Sequence, residues 1–140
     1  MTTVVDTNII AALWDRDDAL SAAAQSALDA ALSRGSLVVP APVYAELMAL
    51  AGRTEAFLDS FFRQTGIRVD WDLEQSVWRL AGQAFQSYAT RRRRQREGGP
   101  RRILADFVIG GYAARHNYSL LTLDEGIYKA AFPALRILTA

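Results

Sequence analysis

The residues able to do chemistry in this chain are few and mostly acidic. Asp6 follows the strand-like run Thr2 to Val5, and Glu46 sits at the edge of an apolar helical stripe. Asp106 interrupts the apolar pattern between Ile103 and Ala114, and Asp124 follows a second strand-like run. Burying an unpaired carboxylate is expensive. Two bare carboxylates about 5 Å apart repel by roughly 3 kcal/mol at an effective dielectric near 20, so a cluster of them needs protons or a cation. The chain has no cysteine and a single histidine, His116. That composition excludes disulfides, thiol nucleophiles, thiolate zinc sites and multi-histidine clusters. Only oxygen ligands remain, and these favour magnesium or manganese. Such an ion binds few protein oxygens directly, polarises a phosphoryl oxygen and activates water for phosphodiester cleavage.

Each acid also has an ordinary reading. Asp6 could be a helix N-cap, Glu46 a surface residue, Asp106 a first-turn residue favoured by the helix dipole, and Asp124 a turn residue in Asp-Glu-Gly. Their spacing as a set is more informative than any one of them.

The elements that must position these acids follow from hydrophobic periodicity. Thr2 to Val5 reads as a buried strand, with Asp6, Thr7 and Asn8 as cap residues for a helix from Ile9 to Trp14. A second helix starts at Asp17 or Asp18, carries Leu20, Ala24, Ala27, Leu28 and Ala31 inward, and stops at Gly35. Leu37 to Val39 is the next strand. Pro40 and Pro42 start a third helix with Val43, Tyr44, Leu47, Leu50 and Ala51 as its core stripe and Gly52 as its end. A helix over Thr54 to Arg63 precedes a strand at Ile67 to Val69. A long amphipathic helix then sets Val77, Leu80, Ala81, Ala84, Phe85 and Tyr88 in register. Gly98, Gly99 and Pro100 break the chain before a helix burying Ile103, Phe107, Gly111 and Ala114. Tyr118 to Leu123 is the fourth strand, and a last short helix leads to Leu135 to Leu138.

Short strands alternating with helices imply an α/β fold with a parallel sheet covered on both faces. In such a sheet, ligands gather beyond the carboxyl ends of the strands. Asp6 and Asp124 each stand where a strand stops, and Glu46 and Asp106 lie in early helical turns that could reach the same edge.

At 140 residues, with 51% hydrophobic and 22% charged side chains, the chain is expected to form one domain over 1–140. No apolar run is long enough to span a membrane, and MTTVVDTN carries no signal features, so a cytoplasmic protein is expected. The formal net charge of +1 hides a local basic cluster of Arg91, Arg92, Arg93, Arg94, Arg96, Arg101 and Arg102. Trp14, Trp71 and Trp78 read as packing residues in preference to base-stacking platforms. His116 reads as a surface or capping residue, and Asp15, Asp17 and Asp18 as caps, since the glycine and terminal glutamate of a calcium loop are absent.

Four stretches together, "VVDTNII", "VPAPVYAEL", "ADFVIGGYA" and "LLTLDEGIYKAAFPAL", make the chain resemble the PIN-domain ribonucleases, specifically the VapC-type toxins of bacterial toxin-antitoxin pairs. The resemblance runs essentially end to end. It implies a three-layer α/β/α fold with a short central parallel sheet and magnesium-dependent cleavage of RNA, leaving a 5′ phosphate and a 3′ hydroxyl. It also implies Asp6 and Asp106 as the firmest metal ligands, Glu46 and Asp124 completing the acidic pocket, and Asn8 and Thr122 as polar supports. The expected partners are RNA, a cognate antitoxin protein and a second copy in a homodimer. The arginine run is denser than this pattern leads one to expect. Phosphate contact, docking of an acidic antitoxin segment and a solvated helix end are all open for it.

Two other functions fit the same sequence: an RNA-processing nuclease with no antitoxin, and a catalytically silent binding module. Four mutually repelling acids argue against the silent module. A phosphorylated signalling receiver also places acids at strand ends, but it needs a lysine after a late strand. The only lysine, Lys129, falls inside the last helix.

Overall fold

The computed structural model describes residues 1–96 and 104–140. The break at Gly98 to Pro100, the inward position of Ile103, and Arg101 and Arg102 lie outside the described residues. The elements run β1 (Thr2–Val5), α1 (Thr7–Leu13), α2 (Asp18–Arg34), β2 (Ser36–Pro40), α3 (Ala41–Met48), α4 (Glu55–Thr65) and β3 (Arg68–Asp70). They continue as α5 (Gln75–Arg94), α6 (Leu104–Arg115), β4 (Ser119–Thr122), α7 (Glu125–Ala131) and β5 (Ile137–Thr139).

The five strands form one sheet in the order β3-β2-β1-β4-β5, with every pairing parallel. Its centre is built from β-branched and aliphatic residues: Val4, Val5, Val38, Val39, Leu120 and Leu121 are all buried. A parallel strand needs this because both its faces are covered. The chain moves one way from β1 to β3, then returns to place β4 on the other side of β1. Right-handed crossovers therefore put the helices of the first half and those of the second on opposite faces, the three-layer α/β/α arrangement. The reversal also makes the β1/β4 boundary the topological switch point, where the carboxyl ends of neighbouring strands open a crevice.

Helix α6 is apolar nearly all round, and Phe107 to Ala113 are all buried, as expected for a helix enclosed by the rest of the fold. It lies antiparallel to α5. Arg115 meets Ser76 and Glu74 at one end, and Phe107 meets Phe85 and Tyr88 toward the other. Gly111 permits the close crossing between them, because a Cβ there would stand 3.2 Å from both the Ala81 nitrogen and the Val77 oxygen. The α2–β2 turn depends on Gly35 for a stronger reason. It has φ 155°, and an added Cβ would fall 1.7 Å from the Met1 carbonyl oxygen.

Several boundaries differ from those the sequence suggests. Helix α1 begins at Thr7, so Thr7 and Asn8 are helical and do not cap. Helix α3 stops at Met48, which leaves Leu50 and Ala51 outside it and exposed. Gly52 therefore does not end it. Leu20 is also exposed; it lies in the first turn of α2, before the helix reaches the sheet. A fifth strand, β5, pairs with β4 through Leu120 to Thr122, where periodicity alone marks no strand. Asp17 caps α2 by accepting from the backbone of Ala19 and Leu20. His116 is half-buried and stacks on Tyr118 with ring centroids 5.3 Å apart, so it packs and does not simply ride the surface.

Thr3 is fully buried, and its hydroxyl finds no hydrogen-bond partner among the described residues. Thr3→Val removes that buried oxygen and keeps the shape, and should raise stability by about 1 kcal/mol. Urea unfolding measures it; a fall in midpoint would show that the hydroxyl has a partner.

Candidate active site

The site forms where the switch point gathers side chains from four elements. Asp6 is the residue after β1, and its backbone N–H donates to the Leu121 carbonyl at 2.9 Å, extending the β1–β4 pairing by one step. This anchors the Asp6 backbone beside the end of β4. Asp6 occupies the N-cap position of α1, yet its side chain makes no capping bond. Its carboxylate turns instead toward Thr122 and Tyr128, which both donate to Oδ2, at 2.8 and 2.9 Å. Only 4% of Asp6 is exposed.

Thr122, the last residue of β4, organises the cluster through one oxygen. Its Oγ1 donates to Asp6 and accepts from the Asn8 Nδ2 at 3.3 Å and the Asp124 backbone N–H at 3.0 Å. A hydroxyl has one proton and two lone pairs, so all its capacity is used. Asn8 in turn accepts from the Leu123 N–H at 3.1 Å. Asn8 and Thr122 thus tie together the segments that carry Asp6 and Asp124, the two acids at adjacent strand ends.

Glu46 reaches the same place from α3, which packs on α1 and α6. The Thr7 hydroxyl donates to its Oε1 at 2.6 Å. Asp106 enters from the first turn of α6, where the helix dipole favours a negative charge. Asp6, Thr7, Asn8, Glu46, Asp106, Asp124 and Tyr128 together line a cavity of about 230 Å³. All four acids singled out in the sequence therefore face one space. Thr7 and Tyr128 are partners that sequence reasoning missed. Both lie within the stretches that carry the family resemblance, but nothing in their spacing shows that a hydroxyl so far along the chain as Tyr128 meets Asp6.

Electrostatics make the cavity costly without a cation. Burial pushes the Asp6 carboxyl above its ordinary range, against the hydrogen bonds from Thr122, Tyr128 and the Thr7 backbone, and the Asp124 charge adds to the rise. Burial also raises Glu46, with Thr7 opposing and Asp6 contributing. Tyr128 is held far above its usual range by burial and by the charges of Asp6 and Asp106, so it remains a proton donor to Asp6 at neutral pH.

The donor set suits a hard divalent ion. It consists of carboxylate oxygens alone, with Asp6 fixed by bonds to one of its two oxygens. Among the described residues, no three His, Cys, Asp or Glu side chains stand close enough to hold a metal ion together. Protein oxygens would then supply part of the shell, leaving positions for water and a substrate phosphate, as magnesium prefers.

The PIN-domain family model matches residues 3–133. The chain belongs to the PIN-domain family. The fold of this PIN domain recurs in solved structures at low sequence identity. It aligns with a chain of a toxin-antitoxin complex from Klebsiella pneumoniae at TM-score 0.67 and 19% identity, covering 98% of this chain and 96% of that one. FitAcB from Neisseria gonorrhoeae aligns at 0.64 and 20%, covering 97% and 96%. VapBC-1 from nontypeable Haemophilus influenzae aligns at 0.63 and 21%, covering 99% and 98%. No curated protein matches the chain.

The arginine run ends α5, with Arg91, Arg92, Arg93 and Arg94 in its last turn, where cations complement the helix dipole. Because α5 and α6 are antiparallel, this end of α5 lies toward the start of α6, the end that carries Asp106. Arg96 follows with a positive φ of 58°. No described helix is long and apolar enough to cross a membrane.

Proposed function

We propose that this PIN domain is a divalent-cation-dependent endoribonuclease and the toxin of a toxin-antitoxin pair. The observation that carries the catalytic part is the convergence of Asp6, Glu46, Asp106 and Asp124 on one cavity. Magnesium or manganese, when bound, supplies the Lewis acid and lowers the pKa of bound water. Asp6 and Asp106 would hold the ion, with Thr122 and Tyr128 fixing the angle of Asp6 and Thr7 fixing Glu46. Glu46 and Asp124 would complete the shell or take up a proton from water in the cavity. Burial raises the proton affinity of Glu46, which suits it to that second role.

The antitoxin partner is supported by the shared fold with chains of toxin-antitoxin complexes. Pairing of two copies in a homodimer belongs to the same reading.

A labelled RNA panel tests the chemistry, using wild type and Asp6→Ala with magnesium, with manganese and with a chelator. Cleavage by the wild type is expected only with a metal. Cleavage that survives both chelation and the substitution discards the mechanism.

The arginines supply phosphate contact beside the pocket, supported by their place at the Asp106 end of the α5–α6 pair. Neutralising Arg91 to Arg94 should reduce the slope of log affinity against log salt by about 0.7 for each lost contact with single-stranded RNA. An unchanged slope assigns these side chains to the helix end alone.

A further inference from the structure

Another cavity lies at the amino ends of the strands, on the opposite edge of the sheet from the acids. It encloses about 520 Å³ between the end of α6, the start of β4 and the segment joining α7 to β5. That is within the range of sites that take small organic molecules. Four alanines make the space. Ala113 and Ala114 on α6, Ala131 at the end of α7 and Ala134 beyond it all line the cavity, where larger side chains would fill it. Phe132 and Leu135 complete the apolar wall. Gly110 lets the Phe132 ring seat against α6, since a Cβ there would collide with it.

One polar group in this wall is out of place. Ser119 opens β4 and is only 5% exposed, yet its hydroxyl makes no hydrogen bond among the described residues. It is not sealed in the core as the Thr3 hydroxyl is; it lines the cavity. A buried hydroxyl without a partner costs free energy, and this one can take a partner only from whatever occupies the chamber. Water fits poorly, because a buried water needs roughly two to four polar partners and the wall is mostly methyl groups and a ring. On the outer side, Arg136 is exposed and makes no ion pair among the described residues. The partner of its guanidinium is the Met1 sulfur at 3.8 Å, and a thioether is a weak acceptor. No acid lines the cavity among the described residues. The Ala113 and Ala114 carbonyls at the end of α6 are already taken by the N–H groups of Tyr118 and Asn117, which leaves little there to attract a cation.

We propose that this cavity binds a small organic anion, with an apolar body against Phe132, Leu135 and the alanines, a polar atom paired with Ser119 and a negative head at Arg136. Asp6 and Asp124 follow the carboxyl ends of β1 and β4, whereas Ser119 is the first residue of β4. Occupancy of this cavity is therefore independent of the nuclease chemistry.

Fluorescence titration of the untagged full chain tests the site with two probes, anilinonaphthalene sulfonate and the neutral N-phenylnaphthylamine. They share an apolar body and an amine N–H, and only the first carries a charge. Wild type is expected to bind one anilinonaphthalene sulfonate per chain, saturably. Arg136→Gln should weaken it about 5- to 10-fold, as loss of a charge-assisted hydrogen bond does, and leave the neutral probe unaffected. Ser119→Ala should weaken both by about 3- to 10-fold. Ala114→Leu should abolish both, because leucine favours the helix and fills the chamber. Melting curves check folding, and where Ala114→Leu melts low the other two variants still decide. Trp71 and Trp78, expected to pack, stand 61% and 48% exposed beside a different, open groove, the rival place for an apolar probe. Trp71→Ala should therefore leave both probes bound as before. Absence of saturable binding overturns the proposal, as does an affinity that Arg136→Gln or Ser119→Ala leaves unchanged. A folded Ala114→Leu that still binds, or binding lost with Trp71→Ala, overturns it too. Cleavage does not enter the readout, so failure here is distinct from failure of the nuclease reading.

Discussion

Asp6→Asn should cut RNA cleavage by more than the roughly 10- to 100-fold that loss of an outer support costs a metal site, while making the metal-free protein more stable at pH 8. Asparagine keeps an oxygen to accept from Thr122 and Tyr128, so the geometry survives and the charge is lost. The stability effect follows from the direction of the proton equilibria. Burial raises the folded Asp6 carboxyl above its unfolded value. The stability this contributes is fully present below the unfolded value of about 4 and is lost as pH rises through the raised folded one. Wild type therefore carries a penalty at pH 8 that the variant lacks, and the two melting curves should converge as pH falls toward 4. Magnesium should reverse the order. Saturation at about 100 times the dissociation constant adds roughly 2.7 kcal/mol to whichever protein binds it, and only wild type should gain. Melting temperatures at pH 4 and 8, with and without magnesium, test all of this. A variant less stable than wild type at pH 8 without metal would show that the Asp6 charge is already compensated.

Thr122→Val should destabilise the fold by about 2 to 4 kcal/mol and lower cleavage by about 10- to 100-fold. The substitution keeps the branched shape of a buried strand residue and removes the one oxygen that three groups share. Asp6 loses a donor to its buried carboxylate, and the Asn8 amide and the Asp124 N–H lose their acceptor. Leaving buried polar groups unpaired costs more than the bonds themselves are worth. Thr122→Ser retains the oxygen and should recover most of the activity, which separates the hydroxyl from the packing of the methyl group. Guanidinium unfolding and single-turnover cleavage read the two effects. A valine variant as active as wild type would remove Thr122 from the machinery.

Much of this was legible in the chain order of residues. Alternating strands and helices gave the parallel sheet, since hydrophobic periods of two and of 3.6 residues record which side of each element meets the core. The absence of cysteine and the presence of a single histidine left only oxygen ligands for a metal. Asp6 and Asp124 could be placed at one edge because a parallel sheet brings all its carboxyl ends to the same side. The boundaries that slipped were local ones. The end of α3 depends on where its last turn leaves the core, and β5 is a strand because β4 offers it an edge, not because of its own pattern.

The sequence by itself determined the layer architecture, the chemistry of the donor atoms and the small set of acids from which a site could be built, because those follow from side-chain type and periodicity. Only the tertiary structure decided that Thr122 and Tyr128 clasp the same oxygen of Asp6, that Thr7 steadies Glu46, and that Trp71 and Trp78 face outward. Each is a contact between residues far apart in the chain, or a choice between two sides of a helix. Such outcomes are set by how whole elements pack, and neighbouring residues carry no record of them.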